Sequence, residues 1–153
     1  MRITSNSFST IKIGVIVTMI LIIVAITVPG LLRAGGAQQE SSAIATLKML
    51  NMACAEYSTT FGSYPWALTD LQKGPNGGLS STAADLIDTS LATGTKDGYV
   101  FTYLRGVAGA GYSISARPAT ANQSGARHFF TDQSGTIRFA IGEDPGVSSA
   151  PIQ

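Results

Sequence analysis

The sequence predicts an α+β fold in which one long amino-terminal helix, part membrane-spanning and part amphipathic, packs on a small antiparallel sheet of about four strands. Three observations predict it. Residues 13–32 carry no charged side chain, residues 43–61 place apolar side chains at alternating steps of four and three, and residues 98–141 alternate apolar and polar between turn residues. With 153 residues the chain has room for one domain of ordinary size and an appendage. Only 12% of residues are charged while 44% are hydrophobic, and the excess hydrophobicity lies before Arg33, so the chain reads as bipartite.

Residues 1–7 form a short polar, basic, leader-like segment containing Arg2, and residues 8–61 form the long helix. The uncharged run from Ile13 to Leu32 is twenty residues, roughly 30 Å of helix and about the thickness of a bilayer's hydrocarbon core. Three readings compete for it. A secretory signal peptide would be cut near Gly35-Gly36-Ala37, although its apolar stretch would be shorter and Arg33 would not sit at the cut. A plain anchor would keep Arg2 and Lys12 on the cytoplasmic side, with weak charge bias because Arg33 and Lys48 lie on the other. In the third reading the helix packs against copies of itself. Pro29 sits near the end of the apolar run, a position tolerated in membrane helices though it removes a backbone donor.

Beyond Gln38 the residues Ala43, Leu47, Leu50, Cys54, Tyr57 and Phe61 share one helical stripe, while Gln39, Glu40, Lys48, Asn51 and Glu56 are assigned to the other face. Gly62 with Tyr64-Pro65 stops the helix. Residues 62–97 read as a connecting loop with short helices: a helical turn in "WALTDLQKG", a turn at "GPNGG", and a helix in "STAADLIDTSLATG" capped by Thr82 with Asp85 in the capping box and Gly94 as its stop. The sheet occupies 98–141. Tyr99, Phe101 and Tyr103 share a face, as do Tyr112, Ile114 and Ala116. Gly106 to Gly111 form a flexible link, and Asp132 to Gly135 form the bend of a hairpin that continues through Ile137, Phe139 and Ile141. The helix stripe is the one long amphipathic surface available to cover the sheet's apolar face. Residues 142–153 read as a flexible tail.

The basic leader before Phe8, the apolar helix with "AITVPGLLRA", the amphipathic continuation and the "FGSYP" stop together resemble the type IV pilin and type II secretion pseudopilin family. "LIDTSLATGTKDGYVFTY" and "HFFTDQSGTIRF" are similar to the globular part of pilin-like proteins, so the resemblance covers most of the chain. It implies a pilin-like fold and a structural, non-enzymatic subunit of a bacterial type IV pilus or type II secretion system pseudopilus, minor or divergent, anchored in the membrane before assembly. Its implied location is the inner membrane, single pass, with a periplasmic or extracellular carboxyl domain or a place on the filament surface. Its implied partners are the membrane, other pilin-like subunits, a prepilin peptidase and an assembly platform. Two residues depart from the family pattern. Ser7 holds the place of the Gly or Ala after which the peptidase cuts, before Phe8, and Lys12 stands where the family carries a glutamate. A lysine there sits comfortably at a bilayer interface and opposes packing in the middle of a filament, because two cations in a low-dielectric core repel.

The remaining signals read as structural. Lys and Arg number ten and are scattered, which argues against a nucleic-acid partner. Cys54 is the sole cysteine, so there is no intrachain disulfide or thiolate metal cluster, and it is read as a small buried hydrophobe. The single histidine, His128, permits no two-histidine metal site and has no nucleophile elbow to join. Gly106, Gly109 and Gly111 lack dinucleotide-fingerprint spacing, Asp132 with Ser134 makes a poor calcium cage, and Asn122-Gln123-Ser124 matches a glycosylation acceptor by spacing. No catalytic, metal or cofactor site is expected. A rival reading is a small secreted or anchored binding domain that recognises its ligand through Trp66 and Tyr64.

Overall fold

The computed structural model describes residues 7–74, 78–120 and 127–152, with the side chains of all of these except 7–12 and 21–35. The chain divides into two units, Met1–Ala37 and Gln38–Gln153, here the front unit and the head. Helix α1 is Ser7–Phe61 and helix α2 is Thr89–Ala92. The strands are β1 Thr95–Lys96, β2 Tyr99–Arg105, β3 Tyr112–Pro118, β4 Arg127–Asp132, β5 Arg138–Ile141 and β6 Ala150–Pro151. They form one sheet in the order β1-β2-β3-β4-β5-β6, every neighbour antiparallel.

In the front unit the described side chains between Ile13 and Ile20 are open, and all but Thr18 are apolar. Ile13, Val15, Ile16, Val17, Met19 and Ile20 are between 48% and 65% exposed. Among the described residues no helix is long and apolar enough to cross a membrane. This corrects the membrane-spanning half expected at 13–32, the transmembrane pilin character and the single-pass inner-membrane location drawn from it.

In the head, α1 ends where the sequence supplies a left-handed residue. Gly62 has φ of 77°, and its N–H donates to the Ser58 carbonyl at 2.9 Å, closing the last turn. Ala43, Leu47, Leu50, Cys54 and Tyr57 are buried on one stripe, with Ala53 and Thr46 beside them. The same buried cluster takes Tyr99 and Phe101 from β2, Tyr112, Ile114 and Ala116 from β3, Phe129 from β4, and Ile137 ahead of β5. These strand residues recur at every second position, so a single face of the pleat meets the helix.

The expected fold class is corrected here too, since the sheet has six strands where about four were expected. The two additions are its edges, each a two-residue strand. β1 exists because Asp97-Gly98, with φ of 48° and 80°, makes a two-residue hairpin turn that pairs Lys96 with Tyr99. β6 forms in what was read as a flexible tail. Arg138 Nη1 donates to the Ser149 carbonyl at 2.9 Å, the Ile152 N–H donates to the Ile137 carbonyl at 2.9 Å, and Ile152 packs on the core. Pro151 stands on the outermost strand, where a missing N–H leaves no ladder bond broken.

The connecting region also differs from expectation. "WALTDLQKG" supplies its turn as a 3-10 helix, Leu68–Leu71, with the Asp70 carboxylate accepting from the N–H groups of Trp66 and Ala67. The longer helix expected across 82–94 contracts to α2, for which Asp88 rather than Thr82 is the N-terminal flanking residue. Its first half is pulled into extended pairing. The N–H groups of Ala84, Asp85, Leu86 and Ile87 donate to carbonyls of Asp70, Gln72, Leu71 and Leu71, and Asp85 takes φ of 55°. The Gly106–Gly111 link is a closed loop, not a slack one: Gly106 N–H donates to the Gly111 carbonyl at 2.8 Å across a 3-10 turn at Val107–Gly109. "GPNGG" at Pro75 to Gly77 and the Asn122-Gln123-Ser124 pattern lie outside the described residues.

Burial makes four of the tyrosines poor acids. The phenols of Tyr57, Tyr99, Tyr103 and Tyr112 are all pushed up by desolvation, that of Tyr99 to about 12. Between pH 10 and that value the unfolded chain has shed a proton that the folded chain still holds, so stability falls as pH rises through this window. Phenolate absorbance is therefore expected to grow together with loss of tertiary structure in an alkaline titration. Ionisation of these four phenols near pH 10 in a chain that keeps its fold would contradict this.

Candidate functional site

The polar side chains of the helix's head portion do not simply face water. Glu40, assigned to the solvent face, accepts from Arg127 Nε at 2.8 Å and Nη2 at 2.7 Å and from the Arg127 N–H at 3.2 Å. The Arg127 guanidinium lies 5.4 Å from the Phe139 ring centroid and 5.8 Å from that of Phe129, while Tyr99 Oη donates to the Arg127 carbonyl at 2.8 Å. Asn51, also assigned outward, donates to Thr131 Oγ1 at 2.8 Å and accepts from Tyr112 Oη at 2.9 Å. These groups clamp helix to sheet. Their bonds satisfy one another, and among the described residues no buried side-chain N or O lacks a partner.

At the far end of β2 and β3 lies an open cleft of about 600 Å³, bordered by Leu104, Arg105, Tyr112, Phe130, Asp132 and Gln133. Its charged groups are already engaged. Arg105 Nε donates to the Tyr64 carbonyl at 3.0 Å and its guanidinium lies 3.9 Å over the Trp66 ring, while Asp132 Oδ1 accepts from the Ser134 N–H at 2.9 Å. Of the two aromatics in the binding-domain reading, Trp66 is open, 76% exposed, and Tyr64 packs edge-on to Tyr112 at 4.8 Å. The two are therefore not one exposed platform.

On the outer sheet face, His128 Nδ1 stands 3.4 Å from Asp144 Oδ1, and the other oxygen of that carboxylate accepts from Arg117 Nη2 at 2.5 Å. Arg117 and Asp144 are both more than half exposed. No nucleophile joins this set in the described hydrogen bonds. Cys54 is fully buried among the stripe residues, and desolvation pushes its thiol up to about 12, so it is no reactive thiolate. Among the described residues no group of three or more His, Cys, Asp or Glu side chains could hold a metal ion.

Of the residues singled out for processing and assembly, Ser7, Phe8, Lys12 and Pro29 all fall within α1, and their side chains lie outside the described residues. The residues the sequence reading placed on the wrong face are Glu40 and Asn51. Each borders the apolar stripe, so helical period alone assigns it to neither side. Comparison with protein-family models, with curated proteins and with solved structures finds no match for the chain.

Proposed function

We propose that the chain is a non-enzymatic structural subunit, the role implied by the resemblance of its sequence to pilins and pseudopilins, that assembles with copies of itself through its front segment. The observation carrying this reading is the open apolar surface between Ile13 and Ile20. At about 100° per residue, Ile13, Val15, Ile16, Val17, Met19 and Ile20 cover an arc of roughly 200°, and Gly14 with Thr18 fill the gap. One neighbour covers one side of a helix. An arc that wide asks for more than one, which favours an array over a dimer. In the head, Glu40 and Asn51 of the helix are engaged by Arg127, Thr131 and Tyr112 of the sheet.

Electron microscopy and pelleting of the full chain test this reading. Ordered, pelletable assemblies are expected, and a chain that stays monomeric across the accessible concentration range contradicts it.

A further inference from the structure

Helix α1 carries three charged residues from Gly36 to Phe61: Glu40, Lys48 and Glu56. Glu40 is bound to Arg127. Lys48 and Glu56 take part in none of the ion pairs among the described residues, and both are exposed. They lie on one outward stripe with Ser41, Ala45, Met52, Ala55 and Thr59, every one of them exposed. Met52, midway between the two charges, is 66% exposed. The stripe is thus a row of small residues with one large apolar side chain and a single charge of each sign.

Eight residues separate the charges, which places them about 12 Å apart along the helix and about 80° apart around it. The cation and the anion therefore look toward different flanks of the subunit. That arrangement cannot pair within one helix, but it is complementary to itself. A neighbour displaced along the axis brings its Lys48 against Glu56, and a third copy on the opposite flank brings its Glu56 against Lys48. A contact of this kind uses two different patches of the same chain, so it is head-to-tail and repeats without closing unless the rotation happens to form a ring. The small residues let the helices approach, and Met52 supplies an adaptable apolar contact between the charges.

We infer that the outward stripe of α1 is a lateral docking surface for a second copy of this chain, with Lys48 of one subunit paired to Glu56 of the next. The inference rests on the assembly reading above and adds to it the surface by which heads meet and the sign pattern that sets their order. An exposed pair contributes chiefly orientation and salt sensitivity, whereas like charges in the same place act against association.

The test uses full-length chains in sedimentation and pelleting at low salt. Lys48→Glu and Glu56→Lys, each alone, juxtapose like charges and are expected to raise the concentration needed for assembly by about 10-fold. An equimolar mixture of the two variants restores opposite charges at every contact, and so does the double variant Lys48→Glu/Glu56→Lys, so both are expected to return to wild-type behaviour. Rescue by mixing cannot come from a repair inside one chain. If wild-type chains assemble and the single variants assemble equally well, or if mixing fails to rescue them, this docking surface is overturned while the assembly reading stands. A wild-type chain that never assembles overturns both.

Discussion

Replacing Phe129 with alanine is expected to destabilise the head by about 3–5 kcal/mol, the range for truncating a fully buried aromatic. Phe129 is wholly buried at the centre of β4, its ring centroid 5.8 Å from that of Tyr99. The Arg127 guanidinium that is bound to Glu40 lies over the same ring. The truncation therefore removes apolar contacts, opens a cavity and loosens the ion pair that ties α1 to the sheet. A domain of this size has a total stability of about 5–15 kcal/mol, so the variant is expected to melt far lower and to be partly unfolded in mild denaturant. Chemical denaturation measures the loss, and a change below about 1 kcal/mol would show that β4 is not the centre of the core.

The second large effect is on assembly. Ile16→Asp puts a carboxylate into the middle of the exposed apolar stretch, at a site 57% open in the single chain. Because the residue belongs to the front unit and is not a member of the head's buried cluster, the variant's head is expected to keep wild-type stability. If neighbours cover the stretch, the substitution removes apolar burial worth about 1.5–3 kcal/mol and introduces an unpaired charge into the contact. Assembly is expected to weaken by at least roughly 100-fold. Sedimentation of variant and wild type side by side reads this directly. An unchanged association would mean that the apolar stretch has another purpose.

The helix stripe was legible because six residues from Ala43 to Phe61 obey one period, and a period needs no knowledge of what lies opposite. The pleated faces of β2 and β3 were legible for the same reason. The edges of the sheet were not. β1 is too short to show an alternation, although Asp97-Gly98 is a strong hairpin signal in its own right, and β6 carries a proline that argues against a strand anywhere except at an edge. The helix expected over 82–94 had a plausible cap and stop. Ala84 to Ile87 instead found backbone partners in Asp70 to Gln72, a contact between segments more than ten residues apart that local propensity does not contain.

The candidate site was less legible than the fold. Glu40 and Asn51 sit at the border of the stripe, and their roles depend on Arg127, Thr131 and Tyr112 arriving from the sheet. The front segment invited a length rule, because twenty uncharged residues match a bilayer. Among the described residues no helix meets that rule, and the exposed apolar side chains from Ile13 to Ile20 are the basis of the assembly proposal. Lys48 and Glu56 were legible as outward charges, whereas their absence from the ion pairs among the described residues could be read only from the structure.

Whether the front segments of neighbouring copies cover one another can be read from cysteine crosslinking. Cys54 is buried and its thiol is held protonated, so a cysteine introduced at Ile16, Val17 or Ile20 is the reactive thiol of its chain. Under mild oxidation of the full chain at assembling concentration, disulfide-linked dimers are expected at more than one of these positions, reversed by reductant and absent when Ile16→Asp is combined with a cysteine at Val17 or Ile20. Chains that remain uncrosslinked at all three positions would contradict it.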